Sequence, residues 1–198
     1  MNINYTTENI FPVPIHIFNV NGFEKIQNDL IDYAYDLKIK EPKGVLFSNC
    51  GGWQSSCFLV NNENDILQSF LMDCLGEFPP IKKSVDLIVS AWLNINPPNS
   101  YNSMHSHPDC NLAGVLWIKT PKDCGNIVFQ SPFDFQIHKE VESYTEEFKS
   151  QNKYFHKYFF NPIEGRIMVF PSHLLHEVNP NESKEDRISV SFNIRLQE

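Results

Sequence analysis

Arg187-Ile188-Ser189-Val190-Ser191-Phe192-Asn193-Ile194-Arg195 alternates between polar and apolar side chains without a break. A period of two is the mark of a β-strand with two distinct faces. Ile188, Val190, Phe192 and Ile194 share one face, and Arg187, Ser189, Ser191, Asn193 and Arg195 share the other. The stretch from Val85 to Ile95 repeats the pattern, with Val89, Ala91, Leu93 and Ile95 opposite Ser90, Trp92, Asn94 and Asn96. A single surface strand would simply solvate its polar side. Polar faces on several strands fit a barrel whose interior is polar and whose apolar outside is covered by helices. Leu112 to Lys119, Asn126 to Gln130, Arg166 to Phe170 and Leu174 to Val178 supply the remaining strand runs, with turns at Gly165 and Pro180-Asn181. The fold class expected is mainly β with flanking helices, a double-stranded β-helix core of the jelly-roll, cupin-like type.

The first part of the chain supplies the cover. Phe23, Ile26, Leu30, Tyr33, Ala34 and Leu37 recur at helical spacing, which predicts an amphipathic helix over 22–38. A second helix starts at an Asn64 cap, carries Ile66, Leu67, Phe70, Leu71, Cys74 and Leu75, and stops at Pro79-Pro80. Residues 10–20 read as an extended entry segment with edge prolines. Residues 41–60 read as a loop with a short strand near 57–60. The chain is then one domain, 1–198, made of an N-terminal layer (1–80) and a β-helix (85–198). A flap insertion is expected at 131–160, with a short helix near 139–150. That insertion carries Phe133, Phe135, Tyr144, Phe148, Tyr154, Phe155, Tyr158, Phe159 and Phe160.

Composition narrows the function. The 198 residues include 16 Phe, and 41% are hydrophobic, enough for a folded core rather than a disordered chain. A formal net charge of −8 repels phosphate backbones, so general nucleic-acid binding is not expected. The five cysteines are an odd count without C-x-x-C spacing, which reads as reduced thiols in a cytoplasmic protein. No apolar run approaches membrane-spanning length, and no signal peptide is read at Met1. Self-association into a homo-oligomer stays open.

Chemistry concentrates in two places. His107-Pro108-Asp109 stands at the entry to the apolar run that begins at Leu112, and His176 lies far downstream. Residues i and i+2 of an extended chain project to one side, so His107 and Asp109 can reach one ion. Two imidazoles and one carboxylate form the facial triad of non-haem Fe(II) sites, which leaves about three coordination positions open. His105 offers an alternative H-x-H pairing of the cupin type. That reading wants a Glu soon after the second His, and the first Glu after His107 is Glu140, so His105 is assigned to the rim. His173 is three residues from His176, on the opposite side of a strand, and is read as structural. Arg187, with Ser189 two residues on and facing the same way, can hold a carboxylate through a planar fork and a hydroxyl. Asn94, Trp92, Trp117 and Gln130 are candidates to line the pocket.

These residues resemble the 2-oxoglutarate/Fe(II) oxygenase superfamily. His107-Pro108-Asp109, with the run through Ala113, Gly114 and Trp117, is similar to its H-x-D segment and following strand. Arg187-Ile188-Ser189 is similar to its R-x-S cosubstrate motif. More narrowly, Phe11 to Ile15, Gly52 to Ser55, His105 to Pro108, Phe170 to Ser172 and Arg187 to Asn193 resemble a family of such oxygenases found in marine phage and bacteria. The resemblance implies Fe(II) on His107, Asp109 and His176. It implies 2-oxoglutarate held at its far end by Arg187 and Ser189, with Asn94 beside it, and dioxygen as the second cosubstrate. It further implies hydroxylation of a peptide side chain or small molecule. The alternatives are a cupin-like metal-binding module using His105, His107 and His176, and a non-enzymatic jelly-roll protein.

Overall fold

The computed structural model describes residues 4–76, 78, 80–133 and 140–198. Twelve strands are found among the described residues: β1 (His16–Asn19), β2 (Asn49–Cys50), β3 (Trp53–Gln54), β4 (Phe58–Leu59), β5 (Asp86–Asn96), β6 (Tyr101–His105), β7 (Leu112–Lys119), β8 (Ile127–Gln130), β9 (Lys157–Phe160), β10 (Arg166–Pro171), β11 (His176–Val178) and β12 (Arg187–Gln197). The helices are α1 (Gln27–Lys40), α2 (Ile66–Gly76), α3 (Glu140–Ser143) and α4 (Glu146–Asn152). No helix among the described residues is long and apolar enough to cross a membrane.

The strands form two antiparallel sheets. The larger runs β1-β10-β7-β12-β5-β3, with β4 also on β5, and the smaller runs β2-β6-β11-β8-β9. This is the jelly-roll core expected from the alternation. The larger sheet sorts its side chains by face. Ile188, Val190, Phe192 and Ile194 of β12, with Val89, Ala91, Leu93 and Ile95 of β5, join Leu30 and Ala34 of α1 and Leu67, Leu71 and Leu75 of α2 in one buried cluster. A second cluster takes alternate residues: Ala113, Val115 and Trp117 of β7, Met168 and Phe170 of β10, and Ile127 and Phe129 of β8. It joins the two sheets and forms the barrel interior. At about 25 cal/mol per Å² of apolar surface removed from water, these clusters are the main source of stability.

Local details depart from the sequence reading in instructive ways. The first helix begins with a 3-10 turn at Phe23–Lys25 that follows Gly22 at φ 78°, and the α-helix proper starts at Gln27. Asp65, not Asn64, caps α2: its Oδ1 accepts from the backbone N–H groups of Leu67 and Gln68 at 3.1 and 3.0 Å. A carboxylate is both acceptor and counter-charge to the helix dipole, so it outcompetes the neighbouring amide. Its Oδ2 accepts from Tyr33 of α1 at 2.7 Å and ties the helices together. Residues 157–160, placed in the insertion by sequence, form β9 and pair with β8 from Ile127↔Phe160 to Gln130↔Lys157. Phe135 of that insertion and Pro79 after α2 lie outside the described residues.

Candidate metal centre

Three histidines converge at the mouth between the sheets. His105 of β6 and His176 of β11 are directly opposed in the ladder. His107 follows His105 by two residues in extended backbone and therefore faces the same way. One potential ligand atom from each lies within 4.8 Å of the others. The Nε2 atoms of His107 and His176 are 3.4 Å apart, with the two rings nearly parallel at 9°.

Asp109 is not in this group. Pro108 and Asp109 form a turn rather than extended chain, so the i, i+2 rule stops at His107 and applies to His105-Ser106-His107 instead. The Asp109 side chain is exposed, and its backbone carbonyl accepts from Nε of Arg195 at 2.9 Å. His105, assigned by sequence to the rim, sits inside the cluster. His173 is exposed and lies in the turn between β10 and β11 rather than on a strand.

Hydrogen bonds fix which nitrogen each ring presents. Nδ1 of His105 donates to the carbonyl of Ser103 at 2.7 Å, and Nδ1 of His176 donates to that of Leu174 at 2.9 Å. A carbonyl only accepts, so in both rings the proton is on Nδ1 and the Nε2 lone pair is free. Burial pulls the pKa of His176 down to about 3, with His105 adding repulsion. Burial, again with His105, brings His107 down to about 4. His105 is lowered by burial as well. All three are neutral at physiological pH, the state in which imidazole binds a metal.

The polar face of β12 completes the site. Register places Arg187 beside Asn96, Ser189 between Asn94 and Trp117, and Ser191 between Trp92 and Val115. Paired residues share a face, so one polar stripe runs along the barrel interior. Its far end reaches the histidines, because Trp92 stacks on His107 with ring centroids 5.9 Å apart. Arg187 is 1% exposed. Its Nη1 donates to the carbonyls of Cys124 and of Asn179, the latter at 3.1 Å, while Nε and Nη2 are buried without a partner among the described residues. Burial lowers the Arg187 pKa to about 10, which still leaves it cationic at neutral pH. Trp117 Nε1 and Asn96 Nδ2 are likewise buried and unpartnered. Nδ2 of Asn94 donates to Ser191 Oγ at 3.0 Å, leaving Oδ1 unpaired.

A buried cation with two unused donors, flanked by two more unused donors, costs free energy unless an acceptor meets it. A ligand carboxylate supplies four lone-pair sites and a compensating charge. The donor set therefore fits a carboxylate, and the three neutral nitrogens fit a divalent transition metal. Gln130 takes no part: Phe129, its neighbour on β8, faces His176 with ring centroids 5.9 Å apart. A cavity of about 510 Å³ adjoins the Arg187 end of the barrel, lined by Cys124, Gly125, Asn126 and Asn179 among others, and does not include the histidines.

Among known proteins, residues 90–193 match the family described as "Putative 2OG-Fe(II) oxygenase". No curated protein matches the sequence. In solved structures, a prolyl-4-hydroxylase from Pseudomonas putida is 15% identical, with 94% of each chain covered and a TM-score of 0.59. The carbocyclase SnoK from nogalamycin biosynthesis is 9% identical over 93% of this chain and 80% of that one, with a TM-score of 0.59. A Trichoplax adhaerens prolyl hydroxylase, solved with a fragment of hypoxia inducible factor, is 12% identical over 91% and 83%, with a TM-score of 0.55. At these identities the structures speak for the fold, and the family match spans more than half of the chain. The chain belongs to the 2OG-Fe(II) oxygenase family, whose members work with Fe(II) and 2-oxoglutarate.

Proposed function

We propose that the protein is a hydroxylase in which His105, His107 and His176 hold Fe(II). Arg187 and Ser189, with Asn94 beside them, bind the far carboxylate of 2-oxoglutarate. The observation that carries the reading is the buried Arg187, with Nε and Nη2 unpartnered on the same strand face that leads to the histidines. When bound, Fe(II) and 2-oxoglutarate supply the oxidising chemistry: dioxygen gives one oxygen atom to the decarboxylating cosubstrate, yielding succinate and carbon dioxide, and the other to a substrate C–H bond.

The chain's own work is binding and exclusion. The Nδ1–carbonyl bonds of His105 and His176 aim their Nε2 lone pairs at a common point. Trp92 lies against the His107 ring and limits its rotation. The cosubstrate's far end leaves water on binding, and the fixed Arg187 cation compensates for that loss. The ligand set proposed here is the H-x-H one, with His105 in place of Asp109, because the turn at Pro108 carries the carboxylate away.

For the substrate, the reading is a peptide side chain or a small molecule, with the peptide preferred. Prolyl hydroxylases and a carbocyclase both share the fold, so the fold admits either. Anaerobic addition of 2-oxoglutarate to iron-loaded protein is expected to give a weak visible charge-transfer band. Confirmed iron with no band would overturn the reading. Succinate release across peptide and small-molecule panels then identifies the substrate.

A further inference from the structure

The larger sheet runs on past the histidines. β5 and β12 each have eleven residues, while β6 has five and β11 three. β6 ends at His105 and β11 starts at His176, its partner in the ladder, so both stop at one level. Trp92, stacked on His107, marks that level on β5. Exposure of the inner face rises steadily toward it and beyond. Along β5 it goes from Asn96 at 1% through half-buried Trp92 and Ser90 to Ile88 at 40%. Along β12 it goes from buried Arg187 and Ser189 through half-buried Ser191 and Asn193 to exposed Arg195.

The outer face explains the length of these strands, because Leu87 and Leu196 still pack on the helix-covered cluster. It does not explain the inner face, where a solvated strand end would carry polar side chains. Ile88 sits there, and β4 adds Leu59, 57% exposed, opposite Ser90. Phe58, the residue before Leu59, packs on the helix side, which places Leu59 on the inner side. Arg195 is the ladder partner of Ile88 and shares its face. Its Nε donates to the carbonyl of Asp109 at 2.9 Å, which holds the guanidinium in place. Arg195 enters no ion pair among the described residues, so the outer edge of its fork is open to a carboxylate. Asp86 comes next on this face and would repel an anion placed further out.

Building on the hydroxylase reading above, we propose that this overhang is the substrate platform and that the substrate is an extended peptide. An aliphatic side chain of the peptide lies on Leu59 and Ile88, and a carboxylate meets Arg195. The overhang is continuous with the metal centre through Trp92, so whatever lies on it presents its near end to the histidines. Its length favours a peptide over a small molecule. Trp92 and Ile88 are four residues apart on one strand, about 13 Å at roughly 3.3 Å per residue. An extended peptide covers that distance with about four residues, so the aliphatic and acidic residues fall within about four positions of the oxidised one. Leu59, Ile88 and Arg195 are then specificity-determining residues, set apart from the cosubstrate anchor at the opposite end of β12.

The test screens the iron-loaded protein with a capped hexapeptide positional-scanning library, reading succinate release. The active pools are expected to share an aliphatic residue and an Asp or Glu at fixed offsets. Arg195→Glu should switch the second preference to Lys or Arg, a gain that a folding defect cannot produce. Arg195→Gln, which keeps an amide donor for the Asp109 carbonyl, should abolish the charge preference without reversing it, and it serves should the charge reversal fail to fold. Leu59→Ser combined with Ile88→Ser should raise KM for the aliphatic peptides roughly 10-fold and erase that preference. Active pools indifferent to charge in both Arg195 variants, or activity confined to small carboxylic acids, would overturn the proposal. Binding is read separately in the metal-free protein, where the pool of aliphatic and acidic hexapeptides should shift the Leu59 and Ile88 methyl signals in NMR. An iron-loaded protein that gives no charge-transfer band with 2-oxoglutarate would count against the hydroxylase reading. The methyl signals then decide the platform alone: shifts at Leu59 and Ile88 uphold it, and unmoved signals overturn it.

Discussion

His105 and His176 stand directly opposite one another across β6 and β11, with ring centroids 4.3 Å apart. The ladder itself therefore brings two of the three imidazoles together, before any side chain chooses a rotamer. Backbone pairing is costly to shift by even one residue, since a slip turns every side chain to the other face.

The first prediction concerns the ligand set. His105→Ala, His107→Ala and His176→Ala should each lose most Fe(II) or Co(II) binding, and Asp109→Ala should retain it. Equilibrium dialysis with metal analysis measures this. Retained metal in His105→Ala together with loss in Asp109→Ala would restore the His107, Asp109, His176 triad and require the turn at Pro108 to open.

The second concerns the cosubstrate anchor. Arg187→Met should keep the metal and lose 2-oxoglutarate. Removing one partner of a buried charge pair costs on the order of 2 to 5 kcal/mol, roughly 30-fold or more in affinity. Arg187→Lys should recover only part, because a point charge cannot reproduce the planar fork. Anaerobic titration of the visible band reads both, and wild-type affinity in Arg187→Met would remove this residue from the anchor.

The third concerns pH. In the metal-free protein His107 and His176 have pKa values near 4 and 3, against about 6.5 for unfolded imidazole. Between these values the unfolded chain binds more protons than the folded one, so stability rises with pH. Their contribution is complete above about pH 6.5 and is lost as pH falls toward 4, by up to roughly 1.4 kcal/mol per pH unit for each histidine. Urea unfolding of metal-free protein across pH 4 to 8, compared with His176→Gln, tests this: the variant should show the shallower slope.

The fourth concerns Gly125. Its φ is +89°, and an added Cβ would lie 2.3 Å from the carbonyl oxygen of Asn179. That same carbonyl accepts from Arg187. Gly125→Ala should cost on the order of 1 to 3 kcal/mol in backbone strain and should also weaken 2-oxoglutarate binding. Parallel melting curves and cosubstrate titrations would separate the two effects, and an unchanged cosubstrate affinity would show that Arg187 does not depend on this turn.

The alternation of β12 and β5 was enough to read the barrel, because a period of two survives wherever one face meets helices and the other an enclosed interior. His107, His176 and Arg187 stand out in the sequence as candidates because each lies at or near the end of a strand run. The sequence reading favours Asp109 over His105, whereas the structure groups His105, and not Asp109, with His107 and His176. Spacing alone makes His105 and Asp109 equivalent partners of His107, and only the turn at Pro108-Asp109 decides which neighbour remains extended. Asn96 escaped as well: in sequence it is one more polar residue of an alternating strand, and its interest comes from side-chain atoms left without a partner among the described residues once the strands have paired. The Asp65 cap was missed by one residue because both Asn64 and Asp65 suit the position.

β12 also has a bearing on how the protein is made. It lies between β5 and β7 in the larger sheet and pairs with both. Until residues 187–197 have left the ribosome, β5 and β7 have no strand between them and each carries an open edge. His105, His107 and His176 all precede β12 in the chain, whereas Arg187, the proposed cosubstrate anchor, is its first residue. Every β5–β12 contact closes a very long loop, the kind of pairing that forms slowly and leaves apolar edges exposed meanwhile. The nascent chain should therefore depend on chaperones until its final strand arrives, and ribosome-stalled chains lacking that strand should be readily cleaved by protease.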